Sequence, residues 1–301
     1  MLALTQVVQS FPTARLRGAG DGPPVEVSLI AQLGIGAGDQ LYAAATERQR
    51  AHANFVDELD EPSTRLAGMD LARGDATSLY SFAVGPHGHP FHRHAGHRVF
   101  TAISGSGGAH LRFSSASTAD IARDPQTFVR ALRCIDIPPD SLFTVRFAGE
   151  TWHQFAPRDP SGAHPVLFAL SCHTNELGGD LPPDLRARVA AGDATIPALT
   201  ELLPPAVAAL LAGSEAASAP TIALSLYAPT SSLQGSACRG LRGALGRLRG
   251  WLRRLRASNG YLSDSGTGFP VTTQELPGDS LLADVFSAAC DHDDSFVLDL
   301  P

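Results

Sequence analysis

The chain has 301 residues, 44% of them hydrophobic and 18% charged, with a formal net charge of -7. That acidity argues against a nucleic-acid partner, and the apolar content suffices for one large or two modest packed domains. Lysine is absent and all 23 basic residues are arginine. This excludes Schiff-base lysine chemistry, pyridoxal-phosphate attachment and a phosphate-loop lysine.

Residues 1–75 read as an N-terminal strand and helix extension. The stretch from Arg17 to Pro24 is irregular and rich in Gly and Pro, and Val25–Leu33 has the composition of a strand. Asp39 is placed to cap a helix running to about Leu59, with Leu41, Ala44, Ala45, Ala51 and Phe55 at roughly helical spacing. The preceding Gly34-Ile-Gly-Ala-Gly38 does not fit a dinucleotide-binding G-x-G-x-x-G and reads as a turn.

Residues 76–175 read as β. Ser78–Val84, Val99–Ile103, Ala109–Ser114, Phe128–Ile135, Leu142–Phe147 and Pro165–Cys172 are short apolar or alternating runs separated by Gly, Pro, Ser and Asp. Strands at such close spacing predict a sandwich or barrel. The polar insertion Ser114–Gln126 is expected as a surface loop, with a helix or a lid over the barrel mouth as the alternative.

Five of the eleven histidines, His87, His89, His92, His94 and His97, lie between Gly85 and Gly105. His92 and His94 are two apart. On a strand they would share a face and could bind one metal ion; the alternative is a His-rich polar loop. Further on, Gly149-Glu-Thr-Trp-His153 places another histidine at the start of an apolar strand.

These two segments resemble the paired motifs of the cupin superfamily. The first reads G-x5-6-H-x-H-x3-4-E-x6-G, which Gly85, His92, His94 and Gly105 match. The second reads G-x5-P-x-G-x2-H-x3-N, which Gly149 and His153 match loosely, with Phe147 at the proline position and Pro157 at the asparagine. The resemblance covers about residues 78–172. It implies a mainly β, antiparallel jelly-roll barrel, here with helical N-terminal and C-terminal additions. It also implies a metal held by His92, His94 and His153. The motif's glutamate position is filled by Arg98, which cannot ligate.

Three-histidine cupins, such as the thiol, gentisate and diketone dioxygenases, resemble this arrangement. The resemblance therefore implies Fe(II), with Zn, Mn or Ni as alternatives, and a small substrate (a thiol, amino acid or aromatic acid) binding with O2. Arg98 would pair with a substrate carboxylate, or form a salt bridge at the rim. His97 is an alternative fourth ligand if a bulge turns it toward His92 and His94. Trp152, Phe91, Phe100 and Phe155 flank the ligands and are expected to wall the pocket or simply to fill the core. His87, His89, His110 and His173 take surface, structural or substrate-contacting roles.

Residues 176–218 read as short helices, over Leu181–Val189 and Ile196–Ala212, followed by a linker at Gly213–Pro220. Residues 219–301 read as an α/β region that matches no motif. It opens with a strand at Thr221–Tyr227. Cys238–Ala257 then carries a leucine stripe and seven arginines, a solvated helix face or a surface for an anionic partner. The acidic Asp291, Asp293 and Asp294 could pair with it.

The four cysteines form no C-x-x-C pair and read as free thiols of a reducing compartment. With no apolar run of about 18 residues, no membrane span is expected, and the cytoplasm is the expected location. A homodimer through a sheet edge is a further expectation. The function classes that follow are an Fe(II) dioxygenase, a non-redox Zn or Mn isomerase or lyase, and a ligand- or metal-sensing regulator whose basic helix binds a partner.

Overall fold

The computed structural model describes residues 11–18, 22–179, 181–211 and 219–226. The arginine-rich segment Cys238–Ala257, the acidic tail and most of the linker lie outside these residues, as do Cys238 and Cys290. The other two cysteines, Cys134 and Cys172, are free.

The first strands are β1 (Thr13–Leu16), β2 (Val25–Gln32), β3 (Phe55–Val56), β4 (Ser63–Ala67) and β5 (Ser78–Val84). Next come β6 (His92–Arg93), β7 (His97–Ser104), β8 (Ala109–Ser114), β9 (Leu132–Ile137) and β10 (Ser141–Phe147). The last are β11 (Trp152–Pro157), β12 (Leu167–Thr174), β13 (Glu201–Leu202) and β14 (Thr221–Ala223). The helices are α1 (Ala37–Arg50), α2 (Thr118–Arg123), α3 (Gln126–Ala131), α4 (Pro183–Ala190) and α5 (Pro205–Leu211). One sheet runs β1-β2-β10-β7-β12-β5-β4-β3 and the other β13-β6-β11-β8-β9-β14. The pairings are antiparallel except β9 with β14. The protein is mainly β, as its alternating runs predict.

Alternation also builds the interior. Along β7, Arg98, Phe100, Ala102 and Ser104 are buried, while Val99 and Thr101 are exposed. Phe143, Val145 and Phe147 of β10, and Leu167 and Ala169 of β12, face the same way. They pack on Leu111 and Phe113 of β8, Ile135 of β9 and Phe155 of β11 from the second sheet. Each such side chain contributes about 1.5–3 kcal/mol on burial, against at most about 1 kcal/mol for an exposed ion pair. Core filling therefore sets how the sheets stack.

Several elements depart from the sequence reading. The N-cap of α1 is Gly36, not Asp39, and the carboxylate that meets the first N–H groups comes from across the fold. The Asp140 carboxylate accepts the Gly36 and Gly38 N–H groups at 3.0 and 2.8 Å. Asp39 instead accepts from the Ser106 N–H. The helix stops at Arg50, well before Leu59. There the His52 ring accepts the Asn54 N–H, a local bond that competes with helix continuation. Phe128–Ile135 is split: Phe128 closes onto α3 and the strand begins at Leu132. A short apolar run does not by itself distinguish the two. The insertion Ser114–Gln126 contains α2, capped by Ser117, whose hydroxyl accepts the Asp120 N–H. β4 pairs directly with β5, so residues 1–75 contribute four strands to the larger sheet.

Candidate metal centre

Two paired strands, β6 and β11, bring three histidines together. β6 is only two residues long, and His92 lies directly opposite His153 of β11 and Leu202 of β13. His94 follows on the same side. Ring centroids are 4.3 Å apart for His92–His153, 4.8 Å for His92–His94 and 5.3 Å for His94–His153. One ring nitrogen from each lies within 4.8 Å of the others. All three side chains are buried.

The hydrogen bonds fix the state of each ring. His92 Nδ1 meets the Pro90 carbonyl at 3.0 Å, His94 Nδ1 the Leu199 carbonyl at 3.1 Å, and His153 Nδ1 the Thr151 carbonyl at 2.9 Å. A carbonyl can only accept, so each Nδ1 carries the proton and each Nε2 keeps its lone pair. This is how metal-binding imidazoles are commonly oriented. His92 Nε2 is buried without a hydrogen-bond partner. Burial pushes all three pKa values well below the ordinary imidazole range, and positive charge nearby, that of Arg98 included, pushes the same way. Three neutral imidazoles with free Nε2 atoms are a donor set that suits a divalent transition metal.

The bond to Leu199 comes from 105 residues away in sequence. The segment after the barrel therefore closes the site. Tyr80 donates to the Ala194 carbonyl at 2.8 Å, Ile196 lines the cavity, and β13 pairs with β6. The cavity is small, about 10 Å3, and is lined by Glu61, His94, Arg98, His153, Ser171, His173, Ile196 and the phenylalanines 82, 100, 147 and 155. Of the aromatic residues flagged in the sequence, Phe100 and Phe155 wall this cavity. Phe91 and Trp152 pack instead with Phe128 in a separate cluster.

Arg98 does not sit at the rim. On β7 it is registered against Phe147 of β10 and His173 of β12, inside the barrel, and is 3% exposed. Its Nη1 donates to Glu176 Oε1 at 2.6 Å and to the His97 carbonyl at 3.1 Å. Its Nε and Nη2 are buried and have no partner. Arg98 holds the Glu176 carboxyl below the usual range although burial opposes this. Gly96 makes the room, since a Cβ there would lie 2.7 Å from the Glu176 carboxyl carbon.

Alternation turns His97 the other way. Its Nδ1 accepts the Gly149 N–H at 3.0 Å and its Nε2 lies 3.3 Å from Asn175 Nδ2. No bulge brings it to the three histidines. His89 is buried beside His92, but its Nε2 accepts the Phe155 N–H and its Nδ1 donates to the Pro90 carbonyl. Both nitrogens are thereby used within the protein. His173 lines the cavity, stacked on Tyr80 with centroids 4.3 Å apart. His87 is exposed, and His110 pairs with Asp136 at 2.7 Å on the outer face of β8.

Glu61 carries no signal in the sequence. Leu59 and Asp60 both have left-handed backbone, at φ 57° and 56°, and this tight turn swings Glu61 inward. Gln49 of α1 pins the following residue by donating to the Pro62 carbonyl at 3.1 Å. The Glu61 carboxylate lies 3.7 Å from His92 Nε2 and is 7% exposed. Burial pushes its pKa up to about 8, against a smaller lowering by Arg98. Burial drives both members of this pair toward their neutral forms, so it is not an ion pair.

No protein-family model matches the sequence, and no curated protein matches it. Solved structures similar to this chain include a cupin-2 domain, Rru_A2000 from Rhodospirillum rubrum, at 21% identity over 55% of this chain and 78% of that one, with a TM-score of 0.29. A cupin 2 domain-containing protein from Halorhodospira halophila is 19% identical over 51% of this chain and 84% of that one, with a TM-score of 0.27. Ectoine synthase from P. lautus is 13% identical over 62% and 95%, with a TM-score of 0.29. Likeness at this level leaves the chemistry to be argued from the residues of this chain.

Proposed function

We propose that the chain is a cupin-type metal enzyme in which His92, His94 and His153 hold one divalent ion through their Nε2 atoms. The observation that carries this reading is the shared state of the three rings: buried, neutral, and each locked by an Nδ1–H bond to a backbone carbonyl. Bound iron would supply a centre for substrate and O2, and bound zinc or manganese a Lewis acid. We take Fe(II) and a dioxygenase reaction as the first assignment.

Arg98 narrows the substrate class. Two of its guanidinium nitrogens are buried without a partner, and it lines the same cavity as His94 and His153. Buried donors left unbonded are costly, and a planar fork of N–H groups matches a carboxylate. The substrate is accordingly a small carboxylate, such as an amino acid, a thiol acid or an aromatic acid. Phe82, Phe100, Phe147 and Phe155 exclude water from the reacting groups. His97 serves as a positioning residue, its ring tying the Gly149 amide to the loop at Asn175.

The test is metal analysis of untagged protein purified without oxygen, followed by oxygen uptake with a panel of small carboxylates. Near-stoichiometric iron with carboxylate-dependent oxygen consumption supports the assignment. Zinc or manganese without oxygen consumption moves it to a non-redox isomerase or lyase. Failure to hold any of these metals overturns the metal centre.

A further inference from the structure

We infer that Glu61 is a fourth protein ligand of the metal, supplying from the turn before β4 the carboxylate that Arg98 displaces from the motif. The inference rests on the three-histidine reading above and adds to it a residue that neither spacing nor resemblance identifies.

Three observations carry it. Glu61 is the carboxylate among the residues lining the cavity, and its Oε2 lies 3.7 Å from His92 Nε2, an atom with no hydrogen-bond partner. The other buried acid nearby, Glu176, is turned toward Arg98 at 2.6 Å. Second, Glu61 is buried with no arginine in ion-pair contact. A carboxylate in this place would be costly unless a cation or strong donors met it, and a divalent ion beside His92 would be such a partner. Third, the charge balance of the cavity calls for it. Three neutral imidazoles bring no negative charge, and Arg98 places a positive one on the same cavity. Glu176 offsets Arg98, and Glu61 offsets part of the ion.

The backbone is committed to this placement. Two consecutive left-handed residues, Leu59 and Asp60, precede Glu61, and neither is a glycine. Gln49 then clamps the chain by donating to both the Pro62 and Ser81 carbonyls at 3.1 Å. Backbone strain of this kind persists where surrounding contacts hold it, commonly beside a functional group.

The experiment compares Co(II) binding by the full-length wild type, Glu61→Gln and Glu61→Asp, each stripped of metal and matched by circular dichroism. Visible d–d absorption reports coordination, and a competing chelator gives affinity. The inference expects Glu61→Gln to bind Co(II) at least about tenfold more weakly, with a changed d–d band. Glu61→Asp, which keeps the carboxylate one methylene shorter, falls between them. Glu61→Gln binding Co(II) with wild-type affinity and spectrum overturns the inference while leaving the three-histidine site standing. Wild type that takes up no Co(II) overturns the three-histidine reading itself, and this inference with it. Should Glu61→Gln fail the circular dichroism match, Glu61→Asp decides: wild-type binding and spectrum there count against ligation.

Discussion

Arg98 donates to Glu176 at 2.6 Å while both side chains are almost wholly shut off from water, at 3% and 2% exposure. The position where the motif carries an acid thus holds a base, and that base has recruited its own acid from the segment after β12. A pair in this setting is held by geometry more than by net Coulomb gain. It fixes one nitrogen of the guanidinium and leaves two buried without a hydrogen-bond partner.

Breaking this pair should be costly. Glu176→Gln is expected to lower stability by about 3–5 kcal/mol, because it strands a buried guanidinium. A double replacement, Arg98→Met with Glu176→Leu, should recover most of that loss. Urea denaturation of the metal-free proteins measures both. A double variant as unstable as the single one would mean that the pair does more for the fold than satisfy itself.

Arg98→Lys separates charge from fork. Lysine can keep the contact with Glu176 but cannot present two parallel N–H groups. Losing a charged hydrogen bond of about 1.5–3 kcal/mol corresponds to a rise of roughly 10- to 100-fold in KM for a carboxylate substrate. The corresponding amide or ester analogue should be far less affected. Equal losses for both would argue that Arg98 never touches the substrate.

His94→Ala should abolish metal binding and leave the barrel folded. Its ring makes one bond, to the Leu199 carbonyl, whereas the sheets are held by the core between them. Metal analysis beside far-ultraviolet circular dichroism reads the two effects separately. Retention of a full equivalent of metal would sink the ligand assignment.

The metal-free protein should weaken in mild acid. His89 and His173 are pushed by burial to about 4, from 6.5 when exposed. Their folded-state pKa values lie below the unfolded ones, so the unfolded chain binds protons first. The stability is fully present above pH 6.5 and is lost as pH falls from there to about 4. Each histidine accounts for roughly 3 kcal/mol across that window at 1.36 kcal/mol per unit. Melting temperature against pH checks the slope, and His89→Gln should flatten it. An unchanged slope would mean that His89 titrates normally in the fold.

Much of the barrel was legible because its signal is local. The bounds expected for Ser78–Val84 and Ala109–Ser114 coincide with β5 and β8, since a short apolar or alternating run between Gly, Pro and Ser breaks marks a strand without reference to its neighbours. The x-His-x-His spacing and the later Gly-to-His step likewise announced the three histidines that the strand ends bring together.

Local order along the chain thus set the strand pattern, the acidic and lysine-free composition, and the identity of the clustered histidines. The tertiary fold set which carboxylates lie buried near them. Glu61 reaches the cavity through two left-handed residues, Glu176 meets Arg98 78 positions on, and the carbonyl that orients His94 belongs to Leu199. It also decided that His97 faces away while Arg98 faces in, because strand register gives adjacent residues opposite faces. Contacts between residues far apart in the chain depend on sheet pairing and closure, and neither residue carries a local mark of its partner.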